Sequence, residues 1–430
     1  MLSKSRPPLS VLVVGAGPAG LTVANQLKRS AQTRIEINII EKSKQHKPHR
    51  ALGLWPRAKR ILQAFPNVKQ LLDSKTHALQ IPPAAYRDKW GNYLSRASPH
   101  NPTTVTTLKE HHLLKALEDG LPDVEIRRGC SPVAIKQTDE SVVIRLQDGS
   151  FLEADLVVGA DGTHSTTRSL ACDSPTASTT GYACHYGIIP PHVFEALPKD
   201  EQVQGPGGDI VPCGQFAYET LSAGRRIAIV PLARGGAFWF ATRPLTQLGL
   251  KVRNISPDAL WDLQEAYRGW HRPISRVLHA AACSVAESVS ASSPTTMHYE
   301  EVFQLPPDAV WSNKRVVLVG DAAHGMSHNL AQGASVAIEG AHKLAEQLSG
   351  LFANAERTPC VASITHTFRQ YRRSHEPRVN NCRTLTNFTA TLAYPESNSA
   401  ESIRNAIRKV PQPINESVFD LALHLSLGGG

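Results

Sequence analysis

Three acids in this chain stand at the ends of apolar runs, each with glycine nearby: Glu41 after IEINII, Asp161 after LVVGA and Asp321 after VVLVG. An ionised carboxylate accepts hydrogen bonds only and can take several O–H donors, so acids placed this way suit a hydroxyl-rich ligand. The first belongs to a longer pattern. Apolar residues 11–14 run into Gly15-Ala16-Gly17-Pro18-Ala19-Gly20, then a helical stretch with Leu21, Val23, Ala24 and Leu27, then a second strand that ends at Glu41. This is G-x-G-x-x-G in its required setting of strand, tight turn, helix, strand and acid. Gly15 permits the turn, Gly17 lets backbone approach a pyrophosphate, and Gly20 lets the helix press on the strand. The helix N-terminus offers free N–H groups to the pyrophosphate, and Glu41 can accept from both ribose hydroxyls. The pattern suits a flavin or a nicotinamide dinucleotide alike. The alternative is a bare glycine-rich turn.

The second acid follows a strand over residues 156–158 and is paired with Gly162, ahead of Ser165 and Arg168. Read alone, Asp161-Gly162 is equally a strand-ending turn. The third acid follows the strand over residues 316–319 and Gly320. It is either a hydroxyl ligand or a cap for the turn beyond it. A loop carrying His328 then leads into a helix expected to begin near Gln332, Gly333 and Ala334, with apolar positions at Val336, Ile338, Leu344 and Leu348.

In this order the three stretches resemble the group A FAD-dependent monooxygenases, the para-hydroxybenzoate hydroxylase-like family. The similarity is greatest to its salicylate, 3-hydroxybenzoate and urate hydroxylase and zeaxanthin-epoxidase-like branch. GLWPRAKRIL, IAIVPLARGGAFWFAT, GWHRPISRVLHA and YRRSHEPRV extend the likeness over nearly the whole chain. The resemblance implies an α/β fold: a Rossmann-like FAD-binding domain with an inserted β-sheet substrate domain and C-terminal helices. It implies FAD held by Gly15, Gly17, Ala19, Gly20, Glu41, Lys42, Arg50, Asp161, Gly162, Arg168, Gly320, Asp321 and Ala334. Asp321 would hold the ribitol hydroxyls, and the helix N-terminus at Gln332 and Gly333 would face the charge of reduced flavin. NAD(P)H is implied as a transient co-substrate, since only one G-x-G-x-x-G unit exists. Oxygen transfer would proceed through a flavin C4a-hydroperoxide, with the protein orienting the substrate and excluding water.

The chain departs from that family in places. His328 stands where proline is usual, Ala331 where glycine is usual and Gly340 where aspartate is usual. Proline fixes φ, so the His328 loop is either looser or held by other contacts. The imidazole is either a proton donor or acceptor at the flavin or a tolerated substitution. Glu110 falls where relatives place an arginine toward the cofactor phosphates, with Lys109 one residue away as a substitute.

Composition and spacing set the remaining expectations. The chain has 430 residues, with 41% hydrophobic and 19% charged, which describes a globular protein of more than one core. The charge of +9 is scattered, and basic pairs such as Arg225-Arg226 lack the aromatic interleaving of a nucleic-acid surface. Seven cysteines without a CxxC argue against a disulfide framework or zinc site. They favour a reducing compartment: the cytoplasm, with the mitochondrion as the alternative. No secretory signal and no membrane span are expected, and membrane contact by the amphipathic tail is the minor reading beside packing onto the body. The FAD-binding domain is expected over 1–75, 105–180 and 300–350, the substrate domain over 76–104 and 181–299, and helices over 351–430, broken at Pro377, Pro395, Pro411 and Pro413. Candidate substrate contacts on the inserted sheet are His185, Tyr218, Arg225 and Trp239.

The expected activity is hydroxylation of a small aromatic or apolar substrate with O2 and NAD(P)H, by a monomer or homodimer. The alternatives are an epoxidase on an isoprenoid or alkene, a flavin reductase, or a flavin-binding sensor without turnover.

Overall fold

The computed structural model describes residues 8–30, 35–98, 100–192, 202–204, 210–212, 217–222, 224–249, 255–290, 297–353, 359–393, 406–407 and 409–427. Its floor is a six-stranded sheet in the order Ser312–Asn313, Val316–Leu318, Leu156–Gly159, Leu9–Val14, Ile35–Glu41 and Glu125–Arg128. All neighbours are parallel except the first pair. Val13 lies opposite both Val158 and Ile39, and Val158 lies opposite Val317. The stretches 11–14, 156–158 and 316–318 at the middle of the sheet read as unbroken Val/Leu runs because both faces of a parallel sheet are covered there. Helix Pro18–Ser30 packs against helix Gly333–Ala353, so the two glycine-led helix N-termini sit side by side at one end of the sheet.

A second sheet roofs that end. Its seven strands run in the order Met297–Gln304, Ser178–Ile189, Ala237–Pro244, Arg225–Pro231, Tyr218–Ser222, Ala85–Asp88 and Tyr93–Ser95. Helices Pro257–Ala266 and Arg272–Ser290 bury its outer face around Trp239, Leu263, Tyr267 and Ile274. Because side chains alternate, the neighbours of those outward residues face the floor.

The C-terminal part corrects one expectation. Pro377 breaks nothing: a single helix runs Val361–Ala393 through it. The helix survives because its buried face, including Phe368, Tyr371, His375, Arg378 and Cys382, stays docked on Gly333–Ala353. Arg378 donates to Glu339 at 2.9 Å, and Lys343 donates to the Ser374 carbonyl at 2.6 Å within the proline turn. Pro395 lies outside the described residues. Pro411 and Pro413 flank the start of helix Gln412–Ser426, where a missing N–H costs least. Phe419 and Leu423 of this last helix close one side of the space under the roof. Among the described residues no helix is long and apolar enough to cross a membrane.

Candidate active site between floor and roof

One continuous cavity of about 1260 Å³ runs from the glycine turn of the first strand to the underside of the roof. Its nucleotide end is built from backbone. Gly15 has φ +110, and a Cβ there would lie 2.4 Å from the Ala160 carbonyl oxygen; at Gly20 it would lie 2.0 Å from the Gly15 oxygen. Both positions exclude any side chain. Gly17, Gly162 and Gly333 are the opposite case: each lines the cavity, and a Cβ would meet nothing within 4 Å. Glycine there leaves room for a ligand to approach the main chain, the cradle a dinucleotide needs.

The three acids differ in what they touch. Glu41 accepts from the Ala16 N–H at 2.9 Å and the Ser43 N–H at 2.7 Å, holding the turn in shape with lone pairs left over. Asp161 turns to its own segment, accepting from the Ser165, Thr166 and Thr167 hydroxyls and the Thr167 N–H. It lines the cavity, but its carboxylate organises the short helix Thr166–Ala171. Asp321 follows Gly320, whose φ of +62 swings the chain so that the acid faces the cavity. Burial pushes the Asp321 carboxyl up, against the pull of Arg50.

Arg168 does not line the cavity. Fully buried, it donates to the Ala322 carbonyl at 3.0 Å and the Thr163 carbonyl at 2.7 Å, tying the second and third acid loops together. Arg50 lines it, donating to the Tyr186 hydroxyl at 3.1 Å and pairing with Glu300 at 3.1 Å. Burial opposes its charge, yet Glu110, Tyr186 and Glu300 together raise its pKa. Lys42, Ala19 and Ala334 also line the cavity, as does Glu110, whereas Lys109 faces a separate small pocket beside His77 and His112. The cations at the nucleotide end are therefore Lys42, Lys47, Arg50 and Arg128.

The His328 loop is held by contacts the sequence did not announce. Arg226 of the roof donates to the Asn329 side chain and to its carbonyl, both at 2.7 Å. Trp55 donates from its ring nitrogen to the Ala331 carbonyl at 3.2 Å and from its N–H to Ser335 at 3.1 Å. Ala331 sits at φ +50, a left-handed conformation that suits the glycine usual there. His328 packs edge-on to Phe240 with ring centres 5.7 Å apart. Its Nε2 is buried with no hydrogen-bond partner among the described residues. Burial, then Arg226, lowers its pKa from 6.5 to about 4, so the imidazole is neutral near pH 7. Gly333 opens the following helix into the cavity, while the Gln332 side chain turns away to accept from Arg378 at 3.1 Å.

Three of the four roof candidates fall outside the lining. His185 is buried against Tyr299, Trp239 lies in the outer core under the helices, and Arg225 reaches Gln247 and the Ala266 carbonyl. The Tyr218 side chain lies outside the described residues. Their strand neighbours line the space instead: Cys184 and Tyr186, Glu219, Phe238 and Phe240. Both faces of these strands are apolar, so hydrophobic pattern alone left a one-residue ambiguity of face. The opposite charges Glu219 and Arg226, on consecutive strands, were the available signal.

A glycine-turn cradle at the end of a parallel sheet, open to an apolar chamber under a second sheet, defines a dinucleotide-dependent enzyme with a covered substrate space. The chain belongs to the family described as FAD binding domain, which matches residues 8–204 and 301–359. It is a group A flavoprotein monooxygenase, an oxidoreductase with FAD as cofactor. It is 30% identical over 396 residues, 88% of this chain and 86% of the relative, to 3-amino-4-hydroxybenzoate 2-monooxygenase PtnB3 of Streptomyces platensis. It is 27% identical over 94% of both chains to 2-heptyl-3-hydroxy-4(1H)-quinolone synthase of Pseudomonas aeruginosa. In fold it is similar to Klebsiella pneumoniae HpxO complexed with FAD and uric acid, with TM-score 0.72 at 20% identity over 96% of this chain and 97% of that one.

Proposed function

We propose that this chain hydroxylates a small aromatic substrate with O2 and NAD(P)H. The observation that carries the reading is the continuity of the cavity: the glycine cradle and the apolar chamber are two ends of one space. Two curated relatives named for aromatic compounds, one for an aminohydroxybenzoate it oxygenates and one for a hydroxyquinolone it makes, support it.

Gly17, Gly162 and Gly333 would present backbone to FAD, while Glu41 and Asp321 would accept from its hydroxyls. Bound FAD supplies the reductive activation of O2, one oxygen atom going to the ring and the other leaving as water at the expense of two electrons from NAD(P)H. The protein's share is positioning and dryness. Phe238, Phe240, Leu221, Phe419 and Leu423 wall the chamber with apolar groups, which keeps water from the reacting atoms. Neutral His328, in the loop at the junction of the two ends, can donate or accept one hydrogen bond there. NAD(P)H binds transiently, since no second glycine turn of this type exists in the sequence.

The test is product mass after turnover of an aromatic panel under isotopically labelled O2, with NAD(P)H consumption followed in parallel. Incorporation of one labelled atom per product is expected. Consumption without incorporation for every compound favours a reductase, and neither event favours a flavin-binding sensor.

A further inference from the structure

The chamber under the roof is apolar with few exceptions, and its charge balance is unusual for a site that would take an aromatic acid. Glu219, only 5% exposed, lines the chamber from the roof strand Tyr218–Ser222. Its Oε2 accepts from both Nε and Nη2 of Arg226 at 2.8 Å. Among the described residues its Oε1 carries no hydrogen bond, and Tyr86 stands opposite it on the adjoining strand. Tyr86 also lines the chamber; burial and then the Glu219 charge raise its pKa, which keeps the phenol protonated. The cation behind Glu219 is committed: Nη1 of Arg226 donates to the Asn329 side chain, and Nη2 is shared between Glu219 and the Asn329 carbonyl. Among the described residues the lining cations belong to the nucleotide end, and Arg50, which reaches the roof, is paired with Glu300.

We propose that Glu219 Oε1 is the acceptor for a ring O–H or N–H of the substrate, and that the chamber selects neutral, donor-bearing aromatics over aromatic carboxylates. A buried acceptor-only group discriminates sharply, because a ligand without a donor leaves it unpaired. A carboxylate ligand brings a like charge toward Glu219 and, among the described residues, meets no cation left to receive it. Drawing on the O–H or N–H proton also enriches the ring in electrons, which favours attack by an electrophilic oxygen. The proposal deepens the monooxygenase reading and rests on it for the fate of the ring; the order of binding does not depend on turnover.

The test uses the FAD-loaded protein and three probes of one ring size: naphthol, methoxynaphthalene, which lacks the donor, and hydroxynaphthoate, which adds a carboxylate. Binding is read from the perturbation of the flavin absorbance. Naphthol is expected to bind roughly tenfold or more tightly than either of the others, the worth of one hydrogen bond to a charged group. In Glu219→Gln the order inverts. Naphthol loses about tenfold, while hydroxynaphthoate gains, because the Arg226 charge is no longer neutralised. Equal affinities for all three probes in the wild-type protein, or hydroxynaphthoate bound best, would overturn the proposal even if the variant failed to fold. So would a folded, flavin-loaded Glu219→Gln with an unchanged order. If naphthol binds as expected but labelled oxygen never appears in any product, the proposal about Glu219 stands and the reading of the reaction as aromatic hydroxylation falls.

Discussion

The floor and the roof of this molecule do chemistry by different means. In the floor, much of what lines the cavity is main chain: glycines of the turn and the first helical residues where a side chain is impossible, as at Gly15 and Gly20, or would occupy cavity space, as at Gly17. In the roof, the parts that line the chamber are side chains on every second residue of regular strands, as at Phe238 and Phe240 or Glu219 and Leu221. A floor built this way tolerates few residue types and leaves a fixed motif. A roof tolerates many, and the same backbone can serve many substrates.

The largest effect expected from this contrast is at Gly20. In Gly20→Ala the new Cβ would lie 2.0 Å from the Gly15 oxygen, 3.1 Å from Val13 and 3.2 Å from Ala160. None of the three can yield without moving the turn, so the purified variant should retain no flavin, read from its absorbance spectrum. Asp161→Asn sharpens the point. Its carboxylate serves its own helix, so flavin content should persist while the unfolding midpoint falls. Flavin retained in Gly20→Ala would break the account of the floor.

The roof predicts a stability effect with little backbone consequence. Arg226→Met leaves Glu219 buried without its partner and frees the loop at Asn329. Removing one member of a buried pair costs about 3–5 kcal/mol, to be measured by urea unfolding of the flavin-loaded protein. Arg226→Met with Glu219→Leu should recover much of that loss, because an apolar pair in a dry site is no worse than the ions. If the double variant is no better than the single one, the cost lies in the lost Asn329 contacts.

This division explains what could be read in advance. The three acid-and-glycine stretches, the single dinucleotide unit and the helix start near Gly333 were legible, because each is a backbone constraint written in one residue type. Arg168 was legible as important but not in its manner: sequence has no means of showing that its guanidinium would staple two carbonyls instead of facing a ligand. The roof was legible only as strands. His185 and Trp239 drew attention by residue type, yet a strand flanked by helices on one side and an apolar chamber on the other has two hydrophobic faces and no phase. Continuity of the long helix through Pro377 was hidden for a related reason, since the docking partner that outweighs the proline is distant in sequence.

Buried histidines offer a test that distinguishes the two regions by pH. In the floor core, His324 and His375 pack with their rings tilted, ring centres 5.4 Å apart, and neither ring has a hydrogen-bond partner among the described residues. Burial lowers His324 from 6.5 to about 3 and His375 well below 6.5. Both are neutral in the folded protein, while the unfolded chain takes up protons near 6.5. Their contribution is therefore fully present above pH 6.5 and is lost as pH falls toward about 3. The loss should be on the order of a few kcal/mol and should be shallower in His375→Phe. An unchanged pH profile in that variant would move the acid sensitivity to His328 and His49 under the roof, both lowered to about 4.

The smallest effect lies where floor and roof join. Ala331 holds φ +50 in the loop between His328 and the helix, with Trp55 bonded to its carbonyl and its own N–H donating to the His328 carbonyl at 3.1 Å. A side chain in that conformation costs about 1–2 kcal/mol, whereas glycine gives back about 0.5–1 kcal/mol through the entropy of the unfolded chain. Ala331→Gly should therefore stabilise by about 0.5 kcal/mol, visible as a slightly higher urea midpoint at unchanged slope. His328→Pro should do the reverse if the loop is held from outside, by Arg226 on Asn329 and Trp55 on Ala331. Those contacts fix the turn already, and proline removes an imidazole packed on Phe240 without adding order. A stability gain from His328→Pro would show that the loop is held by its own backbone, as the floor is, and not by side chains reaching across from roof and flank.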